Sequence, residues 1–236
     1  MARLQNFTVA RVKRETKTCK TLFLVPERRI NFLPGQFLNL YLPANGKPLG
    51  LCRSYTIASP PGEREIQVTF RLKGEFTELL WKIKKGGRIA GIGPLGKFVF
   101  DGKKFAGKKV VFIAGGIGSA GFTSAIRAIA REKFPIGATT FVYSERDYED
   151  VPFLPELKKM KKLRLFTTLT GKTGRGYRGP TGRLDSEKLS AAILPEEAER
   201  GFFFVCGSDI FVKDIVAILS KKMKISKKRI FFEGFG

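Results

Sequence analysis

The spacing of apolar residues changes character once along this chain, near residue 101, and no single uniform sheet accommodates both halves. Before that point apolar and polar residues alternate in short runs, Phe7–Val12, Thr21–Val25, Phe37–Leu42 and Ile66–Leu72. A period of two sends successive side chains to opposite faces of a strand. Leu33-Pro34-Gly35, Asn45-Gly46, Pro60-Pro61-Gly62 and Lys85-Gly86-Gly87 punctuate the runs as turns. A short helix is predicted over Phe76–Ile83, where Phe76, Leu79, Leu80 and Ile83 fall at helical spacing. Short strands joined by Gly/Pro turns predict a small antiparallel β-barrel.

Asp101–Lys109 is polar and contains Gly102 and Gly107, and it reads as a linker between domains at 1–101 and 106–236. Beyond it strands alternate with helices. Strands are predicted at Val110–Ala114, Thr139–Ser144, Leu163–Thr168, Phe202–Cys206 and Arg229–Glu233. Helices are predicted at Ser119–Arg131, Phe153–Met160 and Ile210–Lys221. This order predicts a Rossmann-like parallel sheet with helices on both faces, so the expected fold class is β + α/β.

Composition narrows the chemistry. The chain has no histidine, which excludes histidine metal sites, Ser-His-Asp triads and Cys-His dyads. Cys19, Cys52 and Cys206 form no CxxC pair, so neither a structural zinc site nor an iron–sulfur cluster is expected. An enzyme of this composition borrows its chemistry from a cofactor. No apolar run approaches the length of a bilayer span and the first residues show no signal-peptide pattern, so a cytoplasmic location is the expectation. The formal net charge of +23 favours anionic partners: nucleotides, an acidic redox protein, nucleic acid or anionic lipid. It also suits a merely solubilising surface, and the lysine runs 158–162 and 221–224 fall at predicted helix ends, where cations complement the helix dipole.

Two segments stand out. In Val111–Phe122 a strand ends in Gly115-Gly116-Ile117-Gly118 and a helix starts at Ser119, which lets backbone approach a diphosphate at the positive helix end or simply makes a tight turn. In Leu51–Ser59 the alternation puts Arg53 and Tyr55 on one strand face and Ser54 and Thr56 on the other. An arginine beside an aromatic suits a ligand with a phosphate and a flat ring; an exposed Arg–Tyr pair is the plainer alternative.

Order and spacing of these segments resemble the ferredoxin–NADP reductase superfamily over nearly the whole chain. Arg53-Ser54-Tyr55-Thr56 is similar to the family's Arg-x-Tyr-Ser/Thr flavin motif. The resemblance implies that Arg53 holds the flavin phosphate, Tyr55 packs on the isoalloxazine and Thr56 hydrogen-bonds near its reactive nitrogen. Lys73-Gly74-Glu75-Phe76-Thr77 resembles the helix start that gives backbone amides and a hydroxyl to the flavin diphosphate, and Gly93–Phe98 resembles the stretch that closes the barrel. Gly115-Gly116-Ile117-Gly118 resembles the pyrophosphate loop, with Ile117 in place of threonine and Gly121 where proline is common. Cys206-Gly207-Ser208-Asp209 resembles the Cys-Gly-Pro segment that meets the nicotinamide, with Ser208 in place of proline. Without these neighbours Cys206 reads as a small buried hydrophobe. The tail, Phe231–Gly236, resembles family tails near the flavin: Glu233 then assists proton movement or orients the nicotinamide and Phe235 shields the ring, or the segment is a packed terminal strand.

The implied activity is hydride transfer from NADPH (or NADH) to FAD, with electrons passed to an acidic carrier such as ferredoxin or flavodoxin. Hydroxyl and basic groups following the second strand of the nucleotide domain, Ser144 and Arg146, and Lys172, Arg175 and Arg178 after the next, suit the extra phosphate of NADPH; Glu145 and Asp147 oppose it. Two alternatives stand beside this reading, an electron-feeding subunit of a larger complex and a non-redox anion- or nucleic-acid-binding module. No recognised nucleic-acid motif supports the second.

Overall fold

A computed structural model describes residues 3–44, 47–174 and 176–235. The Asn45-Gly46 turn, Arg175 and Gly236 lie outside the described residues. Contacts divide the chain into two units, residues 1–100 with 123–125, and residues 101–122 with 126–236.

Six strands build the first unit: β1 Leu4–Arg14, β2 Cys19–Pro26, β3 Phe37–Ala44, β4 Lys47–Thr56, β5 Ile66–Arg71 and β6 Arg88–Leu95. They pair antiparallel in the order β4-β3-β6-β1-β2-β5. The two end strands meet where Ile57 bridges Val68 and the Ala58 amide donates to the Gln67 carbonyl at 2.8 Å, which closes the sheet into a barrel. Its core is the inward set expected from alternation, including Phe7, Val9, Leu22, Leu24, Leu38 and Leu40. Alternation fails in β2, where Cys19 to Leu24 are all buried. The outer face there is covered as well: the Arg11 guanidinium lies 3.3 Å from the Phe23 ring centroid.

The predicted helix is α1, Glu75–Lys82. Phe76 and Leu80 anchor it in the barrel core. Lys20 Nζ donates to the carbonyls of Trp81 (2.6 Å) and Ile83 (3.3 Å) at its C-terminal end, satisfying acceptors that the helix leaves open. The N-terminal end is thereby held toward β4, with the Phe76 ring stacked on Tyr55 at a centroid distance of 5.9 Å.

In the second unit five parallel strands, β7 Val110–Gly115, β8 Thr139–Glu145, β9 Leu163–Leu169, β10 Phe202–Ser208 and β11 Ile230–Phe235, take the order β11-β10-β7-β8-β9. From β7 the chain moves outward to β9, then returns to the other side of β7. The strand order therefore reverses between β7 and β10, and ligands of open α/β sheets bind at the carboxyl ends of strands beside such a switch point. β7 is buried along Val110–Ala114 because both sheet faces are covered. α2, Ser119–Ala130, packs Phe122 against Phe112 and Phe141, with centroids 4.9 and 6.4 Å apart. The other face packs Val111, Ile113, Phe203 and Val205 with Val212 and Ile215 of α6, Asp209–Ala217.

Two sequence expectations need correction. The helix expected over Phe153–Met160 is only α3, Leu154–Leu157, because Phe153 takes a left-handed conformation (φ 63°) before it and the lysine-rich run after Leu157 offers little apolar face. The polar Asp101–Lys109 segment is not a bare linker, since Phe105 is buried against Phe202 and Phe204 at 5.2 Å and Phe231 at 5.8 Å. Two helices were not expected, α4 Ser186–Ala192 and α5 Pro195–Arg200. Asp185 caps α4 by accepting from the Lys188 amide at 2.9 Å.

Candidate cofactor sites

In the barrel, pairing register decides which way the motif of β4 faces. Arg53 lies opposite Leu40 and Tyr55 opposite Leu38, both core residues, while Ser54 lies opposite Asn39 and donates to its Oδ1 at 2.7 Å. Arg53 and Tyr55 therefore share one face, as alternation predicts. Tyr55 is half-buried against Phe70 and Phe76, at 6.1 and 5.9 Å. Burial pushes its phenol well above the usual tyrosine range, only partly opposed by the Arg53 guanidinium. Arg53 itself is exposed and donates to the carbonyl of its neighbour Cys52 at 2.7 Å, a partner it can exchange for an anion.

The start of α1 meets this face through Phe76. Gly74 caps it at φ 84°, with open space where a Cβ would stand, so the first amides of the helix are approachable. Phe76 has its ring in the core and can offer a ligand only its backbone. The Thr77 hydroxyl is already engaged: it donates to the Gly74 carbonyl at 2.8 Å and accepts from the Lys73 amide at 2.7 Å. That shapes the loop, so the hydroxyl expected to face a diphosphate acts first on the backbone. Thr56 pairs with Phe37, and Phe37 with Leu95, so the strand end carrying Thr56 adjoins the Gly93–Phe98 stretch.

In the second unit a cleft of about 430 Å³ opens at the carboxyl ends of the parallel strands. Gly115, Gly116 and Ile117 line it after β7, Ser144 and Arg146 at the end of β8, Thr170 after β9, and Ser208 and Phe235 at the ends of β10 and β11. Such a volume holds a small-molecule ligand. Gly118 seals the loop against β10: a Cβ there would lie 2.8 Å from the Cys206 carbonyl oxygen. Glu145 also lines the cleft, but it is buried, with one carboxylate oxygen accepting from the Tyr143 hydroxyl (3.1 Å) and the other from the Arg146 amide (2.8 Å). Arg183, which sequence reasoning passed over, lines the same cleft, whereas Lys172 and Arg178 do not appear among its lining residues.

Cys206 faces Glu233 across the β10–β11 pairing, and Gly207 faces Gly234. The thiol is buried and is pushed up to about 12, by burial first and by the Glu233 carboxylate second. It is neutral at physiological pH and is no nucleophile. Burial also raises Glu233 above the ordinary carboxylate range.

The first unit matches the oxidoreductase FAD-binding domain over residues 7–100, and the second matches the oxidoreductase NAD-binding domain over 112–217. The chain belongs to the ferredoxin–NADP reductase superfamily. A Rhodobacter capsulatus flavodoxin/ferredoxin–NADP reductase is 35% identical over 133 residues, 54% of this chain and 48% of that protein. A protein of Methanocaldococcus jannaschii described as the probable electron transfer subunit of dihydroorotate dehydrogenase B (NAD(+)) is 27% identical over 228 residues, 94% of this chain and 77% of that protein. Among solved structures, a ferredoxin NADP+ reductase of Neisseria gonorrhoeae with bound FAD and NADP shares the fold, with TM-score 0.79, 20% identity and 99% of each chain covered. Most other curated relatives are longer, and the chain spans about a quarter to a half of their length.

As a member of this superfamily the chain is an NAD(P)H-dependent flavoprotein reductase with FAD and a nicotinamide nucleotide as cofactors. The residues present fit both groups. The free face of Arg53 and the open amides at Gly74 suit a flavin diphosphate, and the glycine-walled cleft at the switch point suits a dinucleotide. Among the described residues no helix is long and apolar enough to cross a membrane.

Proposed function

We propose that this reductase oxidises NADPH in preference to NADH and passes the electrons through FAD to a small acidic redox protein in the cytoplasm. The observation that carries the coenzyme preference is the cleft wall at the ends of β8 and β9. Arg146 and Arg183 line it with Ser144 and Thr170, a set of donors for a phosphate on the adenosine ribose. Two acids among the described residues line the cleft: Asp214, on α6, and Glu145 at the end of β8, which spends both carboxylate oxygens on the Tyr143 hydroxyl and the Arg146 amide rather than offering them to a ribose hydroxyl.

When bound, FAD supplies a two-electron acceptor for a nicotinamide hydride and a donor of single electrons or pairs. The chain's own residues bind and orient. Arg53 holds the flavin phosphate with the amides of Gly74, Phe76 and Thr77, Tyr55 packs on the ring, and Ser54 and Thr56 complete the strand edge beside it. Gly115, Gly116 and Gly118 bring the α2 N-terminus up to the coenzyme diphosphate. Cys206 and Gly207 give the nicotinamide a small, uncharged floor, Glu233 orients it through its carboxyl group, and Phe235 closes the cleft beside Ser208.

Rapid-mixing reduction of the FAD-loaded protein tests the preference. NADPH should bind more tightly than NADH, and Arg183→Ala should weaken NADPH alone by about 2 kcal/mol, roughly thirtyfold. Equal affinity for both coenzymes, unchanged by Arg183→Ala, would remove the preference. The archaeal relative supports a second reading, a subunit feeding electrons into a larger oxidoreductase; stable co-purification with another oxidoreductase chain from the native source would favour it.

A further inference from the structure

The basic excess of this chain is not spread evenly over the second unit. Strands of a parallel sheet all start at one rim, so the residues immediately ahead of them lie side by side. Here that rim carries Lys108-Lys109 before β7, Lys161-Lys162 before β9, Arg200 before β10 and Lys227-Lys228-Arg229 before β11. Backbone hydrogen bonds tie the segments together: the Phe202 amide donates to the Lys109 carbonyl at 2.9 Å and the Thr139 amide to the Lys162 carbonyl at 3.0 Å. The helical turn that extends α6, Ile218–Lys222, ends at the same rim with Lys221 and Lys222. The opposite rim, which holds the coenzyme cleft, mixes signs: Arg146 and Lys172 stand among Asp147, Glu149 and Asp209.

The acids beside the strand starts do not neutralise this rim. Glu196 pairs with Lys109 at 2.8 Å, Glu132 with Lys162 at 2.6 Å and Glu199 with Arg200 at 3.8 Å. Glu197 is buried and accepts from the Thr140 hydroxyl. Arg229 spends its guanidinium on the carbonyls of Gly201 and Ala198, at 2.8 and 3.0 Å. Lys108, Lys161, Lys221, Lys222, Lys227 and Lys228 are exposed and make no ion pair among the described residues. Because β11 and β9 are the two edges of the sheet, these charges spread over about 19 Å.

What the rim lacks selects its partner. Among the described residues, the exposed large apolar side chains of the second unit are Ile210 and Phe235, at the coenzyme cleft, and Phe232, within β11. A protein interface draws its energy from buried aromatic or arginine anchors, and single-stranded nucleic acid from aromatic rings on which bases stack. The rim offers neither. Its arginines are engaged, which leaves lysine, a hydrated point charge suited to attraction without fixed geometry. A layer of anionic headgroups asks for no more than that.

We propose that this lysine-lined rim binds the anionic surface of a membrane, peripherally and without insertion. β7 and β8 are six and seven residues long, so about 20 Å separates the rim from the coenzyme cleft, which faces away from a surface bound there.

Cosedimentation of the FAD-loaded protein with vesicles is the test, phosphatidylcholine mixed with phosphatidylglycerol against phosphatidylcholine alone. The protein should partition onto the mixed vesicles only, and rising salt should release it. Lys161→Gln/Lys227→Gln/Lys228→Gln should lower that partition about a hundredfold, roughly fivefold for each charge removed. Lys161→Glu/Lys227→Glu/Lys228→Glu should abolish it. Lys82→Gln/Lys84→Gln/Lys85→Gln, in the first unit, removes the same charge and should stay close to wild type. FAD content and melting temperature should be unchanged in the rim variants, which establishes that they are folded. An equal fall in the first-unit control would make the attraction a property of total charge and overturn the assignment, as would a wild-type protein that ignores the mixed vesicles. Tight binding of a duplex oligonucleotide, lost in the rim variants and without preference for mixed over pure vesicles, would assign the rim to nucleic acid and overturn the membrane reading.

Discussion

Gly118→Ala isolates the contact that holds the glycine loop against β10. Gly118 has φ −57°, so alanine is not excluded by its backbone; the cost comes from space. The added methyl would stand 2.8 Å from the Cys206 carbonyl oxygen and 3.0 Å from both the Cys206 carbonyl carbon and the Gly207 Cα. All three are backbone atoms that cannot swing aside. Ordinary contact begins near 3.4 Å, so the loop must move off β10 by about half an ångström, at a cost of about 2 kcal/mol for overpacking. The thermal transition of the second unit should fall by roughly 4–8 °C. The displaced loop should also bind NADP+ several-fold more weakly. Gly121→Ala is the matched control: its methyl would meet only the Cys206 sulfur at 3.5 Å, an ordinary contact, inside α2. There alanine gains up to about 1 kcal/mol of helix propensity, so the control should melt at or above wild type. Differential scanning calorimetry with titration of NADP+ reads both effects. Equal behaviour of the two variants would refute a loop seated on the β10 backbone.

Arg53→Ala should lose about 2 kcal/mol of FAD affinity, the worth of a charge-assisted phosphate contact, and a fluorescence titration with FAD measures it; unaltered affinity removes Arg53 from the site. Cys206 should be alkylated by iodoacetamide only slowly, at a rate that keeps climbing with pH through pH 9 without levelling off, because its thiol is pushed up to about 12. A rate that climbs to a plateau by pH 9 would contradict that environment. The same shift makes the folded state lose stability as pH rises from the ordinary thiol value toward about 12, since only the unfolded chain ionises readily there. Cys206→Ala should flatten that part of the melting-temperature profile. Lys20→Met should leave the α1 C-terminal carbonyls of Trp81 and Ile83 without their donor and destabilise the barrel by about 1–2 kcal/mol, read by denaturant unfolding of the FAD-free protein.

Local periodicity made much of this molecule legible. Phe7/Val9 and Leu22/Leu24 mark inward strand faces, and the glycine cluster after Val110–Ala114 marks a strand-to-helix turn. Residues that meet only through long-range pairing were not legible. The Ile57–Val68 bridge that closes the barrel depends on strands whose register only the whole sheet fixes. Arg183 is one basic residue among many between β9 and β10, and nothing local distinguishes it from Lys172 or Arg178. Phe105 was outweighed by its polar neighbours, although it seats the segment against three other phenylalanines. For α4 a local signal existed, since Asp185 stands three residues before Lys188 and ahead of Leu189, Ala192 and Ile193 at helical spacing. Glu145 stands among the basic groups in sequence as a free acid, and only the fold reveals that both its carboxylate oxygens are engaged by Tyr143 and the Arg146 amide.

Anaerobic titration of the FAD-reconstituted protein with NADPH addresses the central claim most directly. The account predicts loss of the oxidised flavin's visible absorption at one equivalent of NADPH per flavin, with NADH needing higher concentrations for the same change. A protein that takes up no FAD, or whose bound flavin stays oxidised under excess NADPH, would contradict it.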